Sequence, residues 1–436
     1  MNLLTDNIRK IYFKYLFPSL FSGLVMSIYS LVDMIVVGQY EGADGTAALA
    51  CIAPLWTFFC CLSVLFGNGG AVLFSTAKGK EQKKESNEAF TVSFILISIF
   101  AILVWIAILL FDEPLLRLCG ADEKLLPLAL RYMKWLKLGV PLWPLGYFLA
   151  MFIRNDGSPT LAGIATICGG VFNIWGDYYF TFTCDLGIEG AAIATIVAQL
   201  LVFCVQLLHF FAKKNTITFV VPSNFWKQAK VITSIGFSSF LTSLGMGFVV
   251  ILFNNQITNH FGNFELAVYG VASNFFMLIQ TFSYGIGNAA QPILAENLGA
   301  GNLNRVHQIK RISMQTAVFI GLIVTAFTLI FPGQLACLYM KADTDVMITA
   351  PSILRRYFIC LLFVPLNVFI SYYLQAVQRV KESVLISALR GFILGGFFVY
   401  LYPLVFGADS IWYVMLSAEC ITTLIALWCL KKSKRG

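Results

Sequence analysis

The stretch GNGGAVLFSTAKG, residues 67–79, returns as GNAAQPILAENLG at residues 287–299. At this offset of 220 residues, the identical pairs within the window from Ala47 to Gln82 are Gly67/Gly287, Asn68/Asn288, Gly79/Gly299, Ala47/Ala267 and Ser63/Ser283. The identities are few, but the hydrophobic segments around them line up span for span. The pattern predicts a duplicated chain with halves 1–215 and 216–436. Tandem halves with binding sites at the repeat interface are frequent in secondary transporters.

The composition is that of an integral membrane protein. Of the 436 residues, 58% are hydrophobic and only 12% are charged, and the mean hydropathy is +0.80. Runs of roughly 20 apolar residues suit bilayer-spanning helices. Twelve such spans are predicted, at about 14–37, 47–76, 89–111, 128–153, 160–182, 188–211, 231–259, 266–294, 311–333, 350–375, 383–405 and 410–430. The first span is too long for a signal peptide and carries Asp33, so we expect it to be retained.

The distribution of basic residues predicts the orientation. With the N-terminus in the cytoplasm, 22 of the 30 lysines and arginines fall on the inner side, among them Lys78, Arg154 and Arg390. Both termini are then cytoplasmic, in a cell membrane. A basic inner face explains the net charge of +8 and the tail from Lys431 to Arg435 without a nucleic-acid partner.

Cysteine and histidine patterns do not indicate a metal centre. The eleven cysteines include no C-x-x-C pair, and most lie within apolar spans, as small core residues do. A disulfide among the predicted outer cysteines, Cys119, Cys184 and Cys337, stays open. His209, His260 and His307 all fall at span ends and do not form one metal site in a simple topology.

Three acidic residues lie well inside predicted spans: Asp33, Asp177 and Glu419. A central aspartate costs roughly 2.5–3.5 kcal/mol on insertion scales, so each needs a partner or a function. Asn173 and Asp177 are four residues apart and share a helical face, and Thr195 on the next helix adds a hydroxyl. Such oxygen groups form a plausible hard-cation site. The alternative is a buried polar cluster that only joins helices.

The two halves differ in these residues. At the 220-residue offset, the counterparts of Asp33, Asn173, Asp177 and Thr195 are Phe253, Ile393, Phe397 and Met415. An ion or proton is therefore predicted to load in the first half alone. Glu419 matches Gln199, and for it a hydrogen-bonding role within the second half is favoured over a coupling role.

Five stretches, in this order, resemble the multidrug and toxic compound extrusion (MATE) family over essentially the whole chain. They are YSLVDMIVVG (29–38), RNDGSP (154–159), NIWGD (173–177), GIEGAAIAT (187–195) and NLGAGN (297–302). The resemblance is to the archaeal and DinF-like or MepA-like branch. It implies an all-α membrane protein of twelve helices in two pseudo-symmetric six-helix lobes around a central cavity. Alternating access is then driven by H+ or Na+ entry.

Specific roles follow from that resemblance. The branch carries its coupling site in the first lobe, and the matching residues are Asp33, Asn173, Asp177 and Thr195. Pro18 matches a proline at which the first helix bends, and proline is a sound place for a kink. The vibrio-type (NorM) branch has a further acid in helix seven. Residues 253–256 read Phe-Asn-Asn-Gln here, which puts a second-lobe cation site in doubt.

The expected cargo is a bulky, partly hydrophobic, cationic organic molecule that leaves the cytoplasm. Flexible methionine and aromatic faces tolerate varied ligands. Candidate cavity residues in the second lobe are Met246, Phe275, Phe276, Met277, Phe282 and Tyr284, although packing against lipid or core also explains them. No cofactor is expected beyond the coupling ion, and the partners are the small molecule and the lipid bilayer, with the chain as a monomer.

Two other functions remain open. A flippase for a lipid-linked saccharide or another amphipathic lipid requires a cationic cavity, whereas the basic residues here lie mostly at membrane edges. A membrane-embedded enzyme requires a catalytic residue within the bilayer, usually histidine, and none is central. The sequence therefore favours a transporter that is not an enzyme.

Overall fold

The computed structural model describes residues 2–340 and 344–432, which form helices and connecting segments with no strand. Besides a short helix at Pro332–Cys337, the described residues form twelve helices with these bounds: α1 Ile8–Gly42, α2 Asp44–Gly79, α3 Lys83–Leu118, α4 Leu126–Gly139 with Leu142–Asn155, α5 Pro159–Tyr178, α6 Ile188–Phe211, α7 Phe225–His260, α8 Phe264–Gly299, α9 Leu303–Ile330, α10 Val346–Ala376, α11 Val380–Phe406 and α12 Ala408–Lys431. Lys434 and Arg435 of the basic tail lie outside the described residues.

Most of these helices can cross a bilayer. Within the described ranges, ten are long and apolar enough alone, and α4, bent by 48° at its break, makes an eleventh. The twelfth, α5, holds Asp177 and continues into a π-helix at Tyr179–Thr183. Large apolar side chains such as Leu110, Phe319 and Leu404 are exposed, as expected of surfaces that face lipid. The predicted all-α membrane fold is confirmed.

Helix ends repeat between the two halves at the level of single backbone angles. Positive φ angles occur at Glu81 (62°) and Gly301 (74°), and at Gly187 (58°) and Gly407 (85°), each pair 220 residues apart. Such φ values stop a right-handed helix. Gly42, with φ of 73° and ψ of −158°, separates α1 from α2. The duplication visible in the sequence is thus also present in the turns.

The first compact unit comprises residues 2–236 and 295–302. Its apolar core joins the facing sides of α1, α2, α4 and α6, with Val37, Ile52, Phe59, Tyr132 and Ile188 among its buried residues. All eleven cysteines of the chain are free.

The first unit extends beyond the predicted boundary at 215/216 because side chains hold the connecting segment. The backbone N–H of Thr216, Thr218 and Val220 donate to Asp156 Oδ2 at 2.8 Å, Asn87 Oδ1 at 2.9 Å and Thr91 Oγ1 at 3.1 Å. Every second residue of this extended segment therefore has a side-chain partner in place of a neighbouring strand. The division at 215/216 stays a prediction.

The second compact unit comprises the described parts of 237–294 and 303–436. Its core is aromatic: Phe253 stacks on Tyr269 with 5.0 Å between ring centroids, and Phe358 and Trp412 are fully buried. A π-helix at Leu389–Ile393 interrupts α11 and contains the buried Arg390.

Candidate functional site

The centre of the site is Asn173, on the face of α5 that meets α6. Its Nδ2 donates to Asp177 Oδ1 and to Thr195 Oγ1, both at 3.2 Å. Asn173 is 1% exposed and Asp177 is 0% exposed. The two helices approach closely because Gly176 lies at their crossing, where an added Cβ would be 3.0 Å from Ala194 Cβ. The structure thus brings together three of the four predicted coupling residues.

Three oxygens of this region are buried without a hydrogen-bond partner: Asp33 Oδ1, Asn173 Oδ1 and Asp177 Oδ2. Buried polar atoms are almost always paired, so each such atom needs an explanation. All three are acceptors that a proton or a cation would satisfy. The described residues hold no cluster of three or more His, Cys, Asp or Glu that would suit a transition metal.

Asp33, the fourth predicted residue, reaches this region from α1. It is half-buried, and it lies close enough to Asp177 for the two carboxylates to repel each other when both are ionised. Close packing of α1 on α5 brings it there: a Cβ on Gly163 would lie 2.7 Å from Pro18 Cβ, and one on Gly170 would lie 2.3 Å from Val25 Cγ1.

Two tyrosines that the sequence analysis did not single out surround the carboxylates. Tyr132 of α4 lies near Thr195, and its phenol oxygen is within electrostatic range of Asp33 and Asp177. Tyr29, one helical turn before Asp33, is also within range of both. Tyr29 could have been predicted, because it lies four residues before Asp33 and so shares its helical face. Nothing in the sequence pointed to Tyr132.

The backbone changes directly after Asp177. The π-helix Tyr179–Thr183 follows α5, and Thr181 Oγ1 within it is buried without a partner. Single π turns inside helices occur frequently at functional sites.

Pro18 lies within the continuous helical backbone of α1, and the residue with non-helical angles in the α1–α2 segment is Gly42. Ser22 Oγ donates to the Pro18 carbonyl at 2.5 Å. A bend at Pro18 stays a prediction.

Glu419 lies in a saturated polar network of the second unit. Arg390 Nε donates to Glu419 Oε1 at 2.5 Å, and Asn367 Nδ2 donates to Oε2 at 2.7 Å. Arg390 Nη2 also donates to Gln280 Oε1 at 2.6 Å. The Arg390 side chain is 8% exposed and is paired inside the bundle, and its place within the predicted span 383–405 was the signal for that burial. Its assignment to the inner side of the membrane stays a prediction.

The candidate cavity residues have different environments. Phe276 is 8% exposed and belongs to the core of the second unit, whereas Met277 is 56% exposed. The others are partly buried against that core: Met246, Phe275, Phe282 and Tyr284. Tyr284 accepts a hydrogen bond from Gln280 Nε2 at 3.0 Å and donates to Met246 Sδ at 3.6 Å. Their part in a cavity stays a prediction.

Similar proteins cover nearly the whole chain. The multidrug export protein MepA of Staphylococcus aureus (strain MSSA476) is 25% identical over 417 residues, which are 94% of this chain and 90% of that protein. MepA of Staphylococcus saprophyticus is 24% identical over 415 residues, with the same coverage of both chains.

Solved structures share the fold. The outward-facing conformation of a multidrug resistance MATE family transporter of the MOP superfamily gives a TM-score of 0.91 at 22% identity, over 99% of this chain and 97% of that one. A MOP superfamily transporter from Pyrococcus furiosus gives the same values. The MatE family model matches residues 18–179 and 234–401, one match in each half. The chain therefore belongs to the MatE family of membrane transporters.

Proposed function

We propose that this protein is an antiporter that exports bulky, partly hydrophobic, cationic organic compounds from the cytoplasm by alternating access. Entry of H+ or Na+ drives the export. The relatives named multidrug export proteins support the cargo class. The ion-binding side chains are Asp33, Asn173, Asp177 and Thr195, all within the first unit.

The observation that carries this proposal is the set of unpaired oxygens. One oxygen of each of two carboxylates that lie within electrostatic range, and one amide oxygen, are buried without a hydrogen-bond partner among the described residues. Two adjacent ionised carboxylates in a low-dielectric interior are costly, and a proton or a cation between them removes that cost. The site therefore binds positive charge.

The donor set suits either ion. Carboxylate, amide and hydroxyl oxygens are the ligands that hard cations such as Na+ prefer. A carboxylate pair is equally suited to hold one shared proton. The ion must bind one conformation of the transporter more tightly than the other, because only a difference in affinity shifts a conformational equilibrium.

The second unit supports an ion site confined to the first. Glu419, its buried acid, already has Arg390 as its counter-charge. An incoming cation would have to displace a guanidinium that also donates a hydrogen bond to Gln280.

The test is ethidium transport in everted vesicles under an imposed ion gradient, where export from the cytoplasmic face appears as uptake into the lumen. Asp177→Asn keeps the shape of the side chain and removes its charge, so we expect ion-dependent efflux to be lost while the protein remains in the membrane. Asp409→Asn, at an acid that is 80% exposed, is the matched control and keeps wild-type efflux. Wild-type transport by Asp177→Asn refutes the coupling role of this aspartate.

A further inference from the structure

Two glycines that match at the 220-residue offset, Gly79 and Gly299, lie where α2 contacts the last turn of α8. A Cβ on Gly79 of α2 would lie 2.0 Å from the carbonyl oxygen of Glu296, and a Cβ on Gly299 would lie 2.0 Å from the carbonyl oxygen of Thr76. Residues 76 and 79 match 296 and 299 at the 220-residue offset. The contact is therefore reciprocal, as in a two-fold interface. It places the last turn of α8 within the first unit.

Glu296 is the acidic residue of this crossing. It is 7% exposed, and its Oε2 is buried without a hydrogen-bond partner. Tyr15 of α1, close enough to interact electrostatically with Glu296, also has a buried hydroxyl without a partner. A carboxyl group and a phenol within electrostatic range of each other are thus both enclosed with unused hydrogen-bonding capacity.

The nearby basic groups are already engaged by Asp156, in the turn after α4. Asp156 accepts from Lys78 Nζ at 2.7 Å, from His209 Nε2 at 2.8 Å and from the Thr216 backbone at 2.8 Å. Burial acts to raise the pKa of Asp156, but the bond to His209 and the charge of Lys78 hold it below the ordinary value. Asp156 is therefore the ionised partner of Lys78.

The titratable groups that face Glu296 are then Lys78 from α2, Asp156 from the α4–α5 turn and Tyr15 from α1, with His209 of α6 behind Asp156. Lys78 attracts an ionised Glu296, Asp156 repels it, and Tyr15 is neutral. With Lys78 bound to Asp156, Glu296 forms no ion pair with any residue that the structure describes, and burying an uncompensated carboxylate is costly.

We propose that Glu296 is a proton-binding site that is separate from Asp33 and Asp177. Glu296 holds a proton while the last turn of α8 is packed on α2. It gives that proton to water at the predicted cytoplasmic end when the turn separates. By linkage, a lower pH on that side stabilises the packed arrangement and a higher pH favours its opening. The proposal does not depend on which ion drives transport.

Hydrogen exchange of the backbone amides in residues 295–302 tests this in the full-length protein in lipid nanodiscs. After correction for intrinsic exchange rates, we expect the opening equilibrium of wild type to rise on the order of tenfold between pH 6 and pH 8. Glu296→Gln keeps a neutral side chain at every pH, so its protection stays constant. Glu85→Gln, at an exposed acid in the first turn of α3, is the control and keeps the wild-type profile.

Two outcomes overturn the proposal. One is a wild-type protection that does not change with pH. The other is a pH dependence of protection that persists in Glu296→Gln. Such a result would assign the pH dependence to another group. If Glu296→Gln does not fold, the wild-type protein still tests the proposal. Hydrogen-exchange protection that stays constant with pH would exclude a proton linked to the contact of α2 with α8. Loss of efflux in Asp177→Asn is a separate measurement, so either hypothesis can fail alone.

Discussion

Three buried acids show how the role of a side chain depends on what compensates its charge. Glu419 is bonded to Arg390, and Asp156 is bonded to Lys78 and His209. Asp177 has only the neutral amide of Asn173. A buried charge that is already paired contributes to structure, whereas one without a partner requires a proton or an ion. Of the three, only Asp177 has the environment of a coupling group.

Thr195→Ala tests the sodium ligand set. The change removes an oxygen that accepts from Asn173 at 3.2 Å and leaves both carboxylates in place. If Na+ is bound, we expect a weaker response of ethidium efflux to a Na+ gradient and an unaltered response to a pH gradient. Thr258→Ala, which removes an exposed hydroxyl bonded to the Asn254 carbonyl, is the control. An unchanged response to both gradients removes Thr195 from the site.

Glu419→Gln tests the pairing in the second unit. The change leaves Arg390 charged and buried, and losing one partner of a buried pair costs about 3–5 kcal/mol. We expect a clear fall in the thermal unfolding temperature of the purified protein. The double variant Glu419→Gln with Arg390→Gln removes both charges and should recover much of it. A wild-type unfolding temperature for the single variant would contradict the pairing.

At the scale of helices, glycines decide whether the predicted coupling residues come close to one another. Asp33 is on α1 and Asp177 is on α5, so their separation depends on how closely these helices pack. Gly163 and Gly170 leave no room for a side chain between them. Backbone contact of this kind is how small residues join helices within membranes. The two aspartates carry the charge, and the glycines allow the helices to pack closely enough to bring these charges together.

Gly170→Leu is expected to separate α1 from α5. An added Cβ alone would lie 2.3 Å from Val25 Cγ1, and overpacking typically costs about 1–3 kcal/mol. We expect reduced ion-dependent efflux and a lower unfolding temperature. Gly270→Leu, at a helical glycine with no atom within 4 Å of an added Cβ, serves as the control. Equal behaviour of the two variants would show that this helix contact does not position the site.

Across the whole molecule, the two halves share backbone geometry, but the acidic side chains of the first half have no counterparts in the second. The positive φ angles at Gly187 and Gly407 repeat, whereas Asp177 is replaced by Phe397 at the matching position. Turns must be kept for each half to fold, but one ion site is enough to bias a two-state transporter. This explains why backbone geometry is symmetric and charge is not.

The energy source is a property of the whole transporter. In proteoliposomes that contain this protein alone, we expect uphill ethidium export when a Na+ gradient or a pH gradient is imposed, and none when both are collapsed. Imposing the gradients separately identifies the ion. The ratio of accumulated to free dye measures the extent of uphill export. Export that persists without either gradient would contradict ion coupling.

Several features of the fold were predictable because they depend on hydrophobicity along the chain. The twelve spans required only runs of apolar residues. Asn173 and Asp177 were predictable neighbours because a four-residue spacing fixes a shared helical face. Gly67 and Gly79 repeat at Gly287 and Gly299, and this indicated the duplication. Such identities can be found by comparing the sequence with itself, without a structure.

The sequence by itself therefore determined the helical membrane class, the duplication and the restriction of the Asp33 and Asp177 acids to one half. Only the tertiary structure decided which acids are paired, because the partners lie on different helices: Arg390 is 29 positions from Glu419, and Lys78 is 78 positions from Asp156. Helix packing sets those distances, and it depends on the shapes of many side chains at once. The same packing encloses Glu296 Oε2 without a hydrogen-bond partner among the described residues, which no spacing in the chain could indicate.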